Sequence, residues 1–368
     1  MEDLLISVPD LDNPYRQVIT HYLAREFPAN LSNSSCVLES VTSAIVSTSQ
    51  IRYGPAPSPE SLVAIRSVIG ASIAQKLPIP VLCPWGSKKP VNNSGIDIAE
   101  VGGLKTLRCL QKRVSSFYEP GLQINLRVED VGGYYLFADE GHEARVAADK
   151  YVSDFTQLIK ILKMDFIKIR LESEMVGEKE YCELAEKFRP MFFRYITDTD
   201  TYGFDKYTEL ESWKELERQG WKGMIAKEMR DYYRDRYAKI YPGANMMDRT
   251  NKLATYLAGA LARYPLNATG IDTSWGKNYL QLNFAPPAPG TPPSVGDRRI
   301  YYRTLPQDMA RTHLPPWRAR GYLKIDDRSN EITPKICSWS EKLETEKATV
   351  RFQRGEKFVD VQADQLVS

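Results

Sequence analysis

Ile79-Pro80-Val81-Leu82-Cys83-Pro84-Trp85 and Leu122-Gln123-Ile124-Asn125-Leu126-Arg127-Val128-Glu129-Asp130 are the two stretches on which the fold turns. The first is a short apolar run set between prolines, and it reads as a buried strand ending in a loop. The second alternates apolar and polar residues, as a half-buried strand does. Between them a helical pattern covers residues near 98–117, and Tyr118-Glu119-Pro120-Gly121 turns the chain. Strand, helix and strand in that order form the unit of an α/β fold.

Working outward, Ser58-Pro59-Glu60 opens a helix that runs to about Lys76, with Leu62, Ile65, Ile69 and Ile73 on one face. Residues 31–57 are Ser-rich and read as loop, ending in Ile51-Arg52-Tyr53-Gly54-Pro55. Residues 12–27 carry a further amphipathic helix, capped by Asp12 with Pro14 in its first turn. Downstream, Gly132-Gly133 turns the second strand toward a neighbour at 134–139. A helix at 146–163 leads to an alternating strand at 165–173, and 177–263 is mostly helical and rich in aromatics. Strands follow at 279–286 and 298–305, with two short strand-like runs, ATVRF and KFVDV, near the end. The expected class is α/β: a mixed sheet flanked by helices, with a helical middle region and a β-containing C-terminal part. The expected division is 1–175 as an α/β domain carrying a basic loop, 176–325 as a helical then β part completing the site, and 326–368 as a small β-rich segment.

Apolar residues make up 42% and charged residues 26% of the 368, which places the chain among globular proteins and excludes global disorder. The 49 basic and 47 acidic residues leave a net charge of +2, so neither nucleic acid nor an anionic membrane is an expected partner. No apolar run reaches the length of a membrane span, and the start, MEDLLISVPDLDNPYR, does not have the form of a signal peptide. The five scattered cysteines form no CxxC pair, which fits free thiols and a cytoplasmic location. Only His21, His142 and His313 are histidines, and no HExxH or HxH grouping occurs, so no metal and no cofactor is expected. GxGxxG, the P-loop and GxSxG are all absent. The oligomeric state is not legible.

The loop after the first strand, Gly86-Ser87-Lys88-Lys89-Pro90-Val91-Asn92-Asn93, carries the most chemical information. Ligands of open α/β sheets gather at the carboxyl ends of the strands. Lys88, Lys89 and Asn92 offer donors with few counter-anions, which suits a phosphate or carboxylate; a solvated turn with two surface lysines is the other reading. Arg52 could fork onto an anion, or stand as a surface arginine at a turn. Asp130 could orient an amine or act as general base, or cap its own hairpin turn. His313, beside Pro315-Pro316-Trp317, could move a proton, or belong to a Pro-rich turn that Trp317 anchors. Cys83 reads as core rather than nucleophile.

Three segments together resemble the pyoverdine/dityrosine biosynthesis family, which includes the isocyanide synthases. Leu77-Pro78-Ile79-Pro80 with Ser87-Lys88-Lys89-Pro90-Val91-Asn92 is similar to that family's proline-hydrophobic-proline and Lys-Ser-Pro-Asn segment. Tyr118-Glu119-Pro120-Gly121 followed by Glu129-Asp130-Val131-Gly132 resembles its Tyr-x-Pro-Gly and Ser-Asp-Gly segment. Tyr264-Pro265 leading into Ile271-Asp272-Thr273-Ser274-Trp275 resembles its late ligand-contacting segment, with Ser274-Trp275 where the family has a histidine. Lys89 is an insertion relative to the family pattern. The resemblance implies a metal-free enzyme that joins an amino-acid amine to ribulose 5-phosphate and forms an isocyanide, with the amino acid and the phosphorylated sugar as its binding partners. It implies Lys88, Lys89 and Arg52 as phosphate anchors, Asp130 and His313 (with Lys88) as the groups that carry the catalysis, Asn92 on a hydroxyl and Ser274 on the substrate. Two other classes stay open. One is a transferase acting on a phosphosugar or nucleotide; the other is a non-catalytic protein whose aromatic middle region binds a partner.

Overall fold

The computed structural model describes residues 34–47, 50–54, 56–86, 96–128, 141–171, 178–197, 278–284, 298–304, 315–316, 319–326, 332–338, 350–353 and 356–359, with scattered positions at 22–31, at 174 and between 245 and 262. In chain order the first elements are α1 (Val37–Val46), β1 (Arg52–Tyr53), α2 (Pro59–Gln75), β2 (Ile79–Trp85), α3 (Ile98–Ser115), β3 (Leu122–Val128), α4 (Gly141–Ile161), β4 (Ile167–Leu171) and α5 (Glu178–Thr197). Then come β5 (Leu280–Asn283), β6 (Arg299–Tyr302), β7 (Ala319–Asp326), β8 (Ile332–Ser338), β9 (Val350–Gln353) and β10 (Glu356–Val359).

The main sheet has six strands in the order β1-β6-β5-β2-β3-β4. Every pairing from β6 across to β4 is parallel, and β1 closes the edge antiparallel to β6. This is the mixed sheet with flanking helices that the alternating pattern predicts. The chain runs outward from β2 to β3 and β4, then returns to add β5 and β6 on the other side of β2. The winding therefore reverses between β2 and β5, which is where open α/β sheets hold ligands. A second, antiparallel sheet has the order β8-β7-β10-β9.

Pro80 and Pro84 stand inside β2, a central strand, where proline normally breaks a ladder. Their tolerance follows from parity. The Ile79 N–H donates to the Gly121 carbonyl at 2.9 Å, on the β3 side. Alternation then turns the backbone of residues 79, 81, 83 and 85 toward β3, and that of 80, 82 and 84 toward β5. Strand β5 pairs with β2 at Val81–Leu280 and Leu82–Gln281, so both prolines flank that short ladder and none of its donors is lost. The odd residues keep the full seven-residue pairing with β3.

The core is continuous across the sheet. Ile79, Val81, Cys83 and Trp85 of β2, with Leu122, Ile124, Leu126 and Val128 of β3, are buried against Ile65 and Ile69 of α2 and Leu104 and Leu107 of α3. Cys83 is fully buried and its thiol is pushed far up by burial, in keeping with a core residue. The helix expected from Ser58 is present. Ser58 accepts the Ser61 N–H, Pro59 occupies its first turn, and Lys76 closes it in the left-handed region at φ 56°. Gly121, at φ +62°, provides the turn into β3.

The loop expected over residues 31–57 is instead interrupted by α1. Its Val41, Ala44 and Ile45 are buried, and two of the hydroxyls that argued for loop are satisfied by nearby carbonyls. Ser40 donates to the Ser34 carbonyl (3.1 Å) and Thr42 to the Leu38 carbonyl (2.7 Å). Packing against α2 and α3 thus overrides the loop preference of serine and threonine. The strand expected at 134–139 and most of the helix at 12–27 lie outside the described residues. In the middle region α5 runs through Pro190, and Tyr181 donates to the Gly259 carbonyl at 2.9 Å. Among the described residues no helix is long and apolar enough to cross a membrane.

Candidate functional site

Strands β2 and β3 end side by side, with Trp85 paired to Val128. The chain leaves these two ends into residues 86–97 and 129–140, the stretches that hold Lys88, Lys89, Asn92 and Asp130. Lys88, Lys89, Asn92, Asp130, Ser274 and His313 all lie outside the described residues. Chain length alone keeps the Lys88 Cα within about 11 Å of that of Trp85, and Asp130 within about 7 Å of Val128. Along the chain, His313 falls between β6 and β7 and Ser274 precedes β5.

Arg52 is described. It lies on β1, registered against Tyr302 at the carboxyl end of β6. That places it three strands from β2, about 14 Å by strand spacing. Burial lowers its guanidinium from the usual value, with the nearby Tyr302 phenol opposing. The next residue, Tyr53, carries the Arg303 guanidinium over its ring at 5.0 Å.

At the reversal between β2 and β5 the floor is aromatic. Trp85 stacks on Phe155 of α4 at 4.9 Å and meets Phe284, just past β5, edge-on at 5.4 Å. Tyr151 also stacks on Phe155, at 5.8 Å. All four rings are fully or almost fully buried. A polar chain crosses this apolar floor. The Trp85 Nε1–H donates to the Tyr151 hydroxyl at 3.0 Å, and that hydroxyl donates to Glu100 Oε1 at 3.2 Å. Glu100 Oε2 accepts the Asp97 N–H at 2.8 Å, closing a capping box at the start of α3. Asp97 Oδ1 accepts the Ala99 N–H at 2.7 Å and the Gly321 N–H of β7 at 2.9 Å. Burial, then the neighbouring Glu100, holds the Tyr151 phenol well above its ordinary value, so it remains a donor throughout the physiological range.

Asp97, Glu100 and Tyr151 are absent from the sequence-derived candidates. The Asp-Ile-Ala-Glu spelling of the capping box was readable at 97–100. Nothing local marks Tyr151 as its partner, because α4 meets α3 only through the tertiary fold.

Lys105 of α3 is a second group missed from the sequence. It is only 1% exposed, and its Nζ lies 5.1 Å from the Phe27 ring centroid and 5.8 Å from that of Tyr22. Burial brings it from its ordinary value down to about 8; Cys109 pulls it up, Lys112 and Arg108 push it down, and Glu26 pulls it up. Below about pH 8 both folded and unfolded chains hold this proton, and the fold bears the full cost of the buried charge. Between about 8 and 10.5 the folded state sheds it first, so this residue's contribution to stability improves as pH rises. Lys105→Met should therefore gain most over the wild type near pH 7 and lose more than half of that relative advantage by pH 9.5. Urea denaturation of both proteins at the two pH values checks this, and a constant difference between them would refute it.

The sequence matches no protein-family model and no curated protein. Among solved structures, the crystal structure of the PvcA protein from Pseudomonas aeruginosa is similar at a TM-score of 0.50 and 17% identity, over 88% of this chain and 98% of that one. At that identity the likeness is one of fold, and it extends over nearly the whole of PvcA.

Proposed function

We propose that this chain is a small-molecule biosynthetic enzyme of the isocyanide-synthase type, which condenses an amino-acid amine with ribulose 5-phosphate. The observation that carries the reading is the pairing of Trp85 with Val128. Two of the segments that resemble the isocyanide-synthase family, one holding Lys88 and the other Asp130, thereby start from adjacent parallel strand ends, at the edge where such sheets bind ligands. The fold likeness to PvcA supports a biosynthetic enzyme and leaves the reaction to be tested.

In this reading Lys88, Lys89 and Arg52 hold the phosphate through charge-assisted hydrogen bonds, and Asn92 and Ser274 orient the substrate. The amine nitrogen adds to the ketone carbon, and water leaves to give an imine. Both carbon–carbon bonds of that carbon then break, one electron pair staying on it and the other leaving with the departing fragment. This carbon alone thus remains on nitrogen, and the rest of the sugar phosphate is released. Asp130 takes protons from nitrogen and carbon, and His313 returns them to departing oxygens. The aromatic floor formed by Trp85 and Phe284 keeps water from the imine.

The test is mass spectrometry of the purified protein with the twenty amino acids and ribulose 5-phosphate. The expected product carries one additional carbon on the amine nitrogen. Lys88→Ala should raise the dissociation constant of ribulose 5-phosphate at least tenfold, the effect of losing one charge-assisted contact of about 1.5–3 kcal/mol. No product, together with thermal stabilisation by another phosphorylated compound, would move the protein to a different transferase class. No response to any small molecule would leave partner binding as the better account.

A further inference from the structure

The two faces of the main sheet differ in kind. Cα partners on neighbouring strands share a face, and on one face Val81, Ile124, Leu282 and Ile300 belong to the buried core. On the other, every residue of β3, β4, β5 and β6 carries a polar group, Asn125 and Arg127 of β3 and Gln281 and Asn283 of β5 among them. Parallel strands covered on both faces ordinarily read as continuous apolar runs, so a polar face on such a sheet serves something other than the core. Asn125 is 7% exposed, yet among the described residues its one hydrogen bond is long, 3.4 Å from Nδ2 to the Val81 carbonyl. Gln281 and Asn283 are half-buried, and their side-chain amides bond to none of the described residues. Amides this far from solvent are ordinarily engaged. The register gathers them around β2. Asn125 is the partner of Leu82, and Leu82 that of Gln281; Arg127 is the partner of Pro84, which continuation of the same register sets beside Asn283. Pro80, Leu82 and Pro84 are compact and offer no side-chain donors. Strand β2 therefore floors a trough between polar walls on β3 and β5, two strand spacings or about 10 Å apart. The trough runs to the carboxyl end of the reversal between β2 and β5, where such sheets hold ligands. The six strands contain no aspartate or glutamate, and Arg127 stands on one wall.

We infer that this trough is a binding site for an anionic, polyhydroxylated small molecule, with Asn125, Gln281 and Asn283 on its hydroxyls and Arg127 on its anionic group. A carboxamide both donates and accepts, as a hydroxyl does, and a guanidinium suits phosphate or carboxylate. Naming the ligand as ribulose 5-phosphate rests on the function proposed above; the trough itself does not.

Isothermal titration of the purified chain with ribulose 5-phosphate, and with glucose 6-phosphate as a second anionic sugar, tests this. Asn125→Leu keeps the branched shape of the side chain and removes both halves of the amide. Its dissociation constant for the ligand should rise about tenfold or more, the loss of one or two hydrogen bonds. Its urea midpoint should hold or rise, because the amide makes only one long bond in the protein. A purely structural asparagine would instead lose stability and leave affinity alone. Gln123→Leu is the control on the same face. Its Nε2 already donates to the Phe166 carbonyl at 2.8 Å, so affinity should stay at the wild-type value. Should Asn125→Leu fail to fold, Asn283→Leu, on the opposite wall, carries the same binding expectation. Ribulose 5-phosphate bound equally by wild type and variant overturns the trough and leaves the proposed reaction standing. Glucose 6-phosphate bound alone, and lost in Asn125→Leu, upholds the trough and removes the isocyanide-synthase reading. A wild type that binds neither sugar phosphate overturns the inference.

Discussion

Trp85→Ala should lower the free energy of unfolding by about 3–5 kcal/mol, the range for deleting a large aromatic side chain from a packed core. Trp85 is 1% exposed, stacks on Phe155, meets Phe284 edge-on and presses against Gly103, where even a Cβ would come within 2.6 Å of its ring. The cavity left by alanine would open at the junction of β2, α3, α4 and β5, and these backbones are too firmly paired to collapse into it. Its loss also strips the Tyr151 hydroxyl of its donor. Trp85→Phe separates the two contributions: most of the ring packing survives and only the Nε1–H is lost. That variant should cost about 1–3 kcal/mol, the penalty for disturbing a buried hydrogen bond. Chemical denaturation of the three proteins measures both numbers. A loss under 1 kcal/mol for Trp85→Ala would mean that the floor at the β2–β5 junction is not close-packed.

The parts of the fold that were legible are those in which local pattern and burial agree. In β3 the alternation is read correctly because its pairing with β2 and β4 extends the same local preference. The α2 helix is read correctly because serine, proline and a periodic apolar face all agree. By contrast, α1 was hidden because its serines and threonine favour loop in isolation, and the partners that satisfy them, the Ser34 and Leu38 carbonyls, are supplied only once the segment is folded. The position of β5 beside β2 was not legible at all. Strand order is decided by which apolar faces meet, and a four-residue strand carries no sign of its neighbour. The same holds at the site. That a basic loop follows β2 is a fact of sequence, and that strand ends gather ligands is a general rule. The chain joining Trp85, Tyr151, Glu100 and Asp97 links residues from three separate elements, and only folding reveals it.

Gly321→Ala should detach the second sheet from the first. A Cβ at this position would lie 2.2 Å from the Ala99 nitrogen, 2.5 Å from the Ile98 carbonyl carbon and 2.6 Å from the Ile98 Cβ. Two of these are backbone atoms of the first turn of α3, which the capping box holds in place, so β7 must move. Moving it breaks the 2.9 Å bond from the Gly321 N–H to Asp97. The cost should reach or exceed the roughly 1–3 kcal/mol typical of overpacking, because backbone cannot swing aside as a side chain can. Since β7 is paired with both β8 and β10, the four strands should come away together. Limited proteolysis should then cut between β6 and β7 while β2, β3 and β4 stay protected. Gly70 offers the contrasting case. A Cβ there would meet only Leu38 Cδ1, at 4.0 Å, so Gly70→Ala in the middle of α2 should stabilise the protein by about 1 kcal/mol through helix propensity alone. If Gly321→Ala keeps wild-type stability and proteolytic resistance while Gly70→Ala gains as expected, the close seating of β7 on α3 is wrong, and the link from the second sheet to Asp97 goes with it.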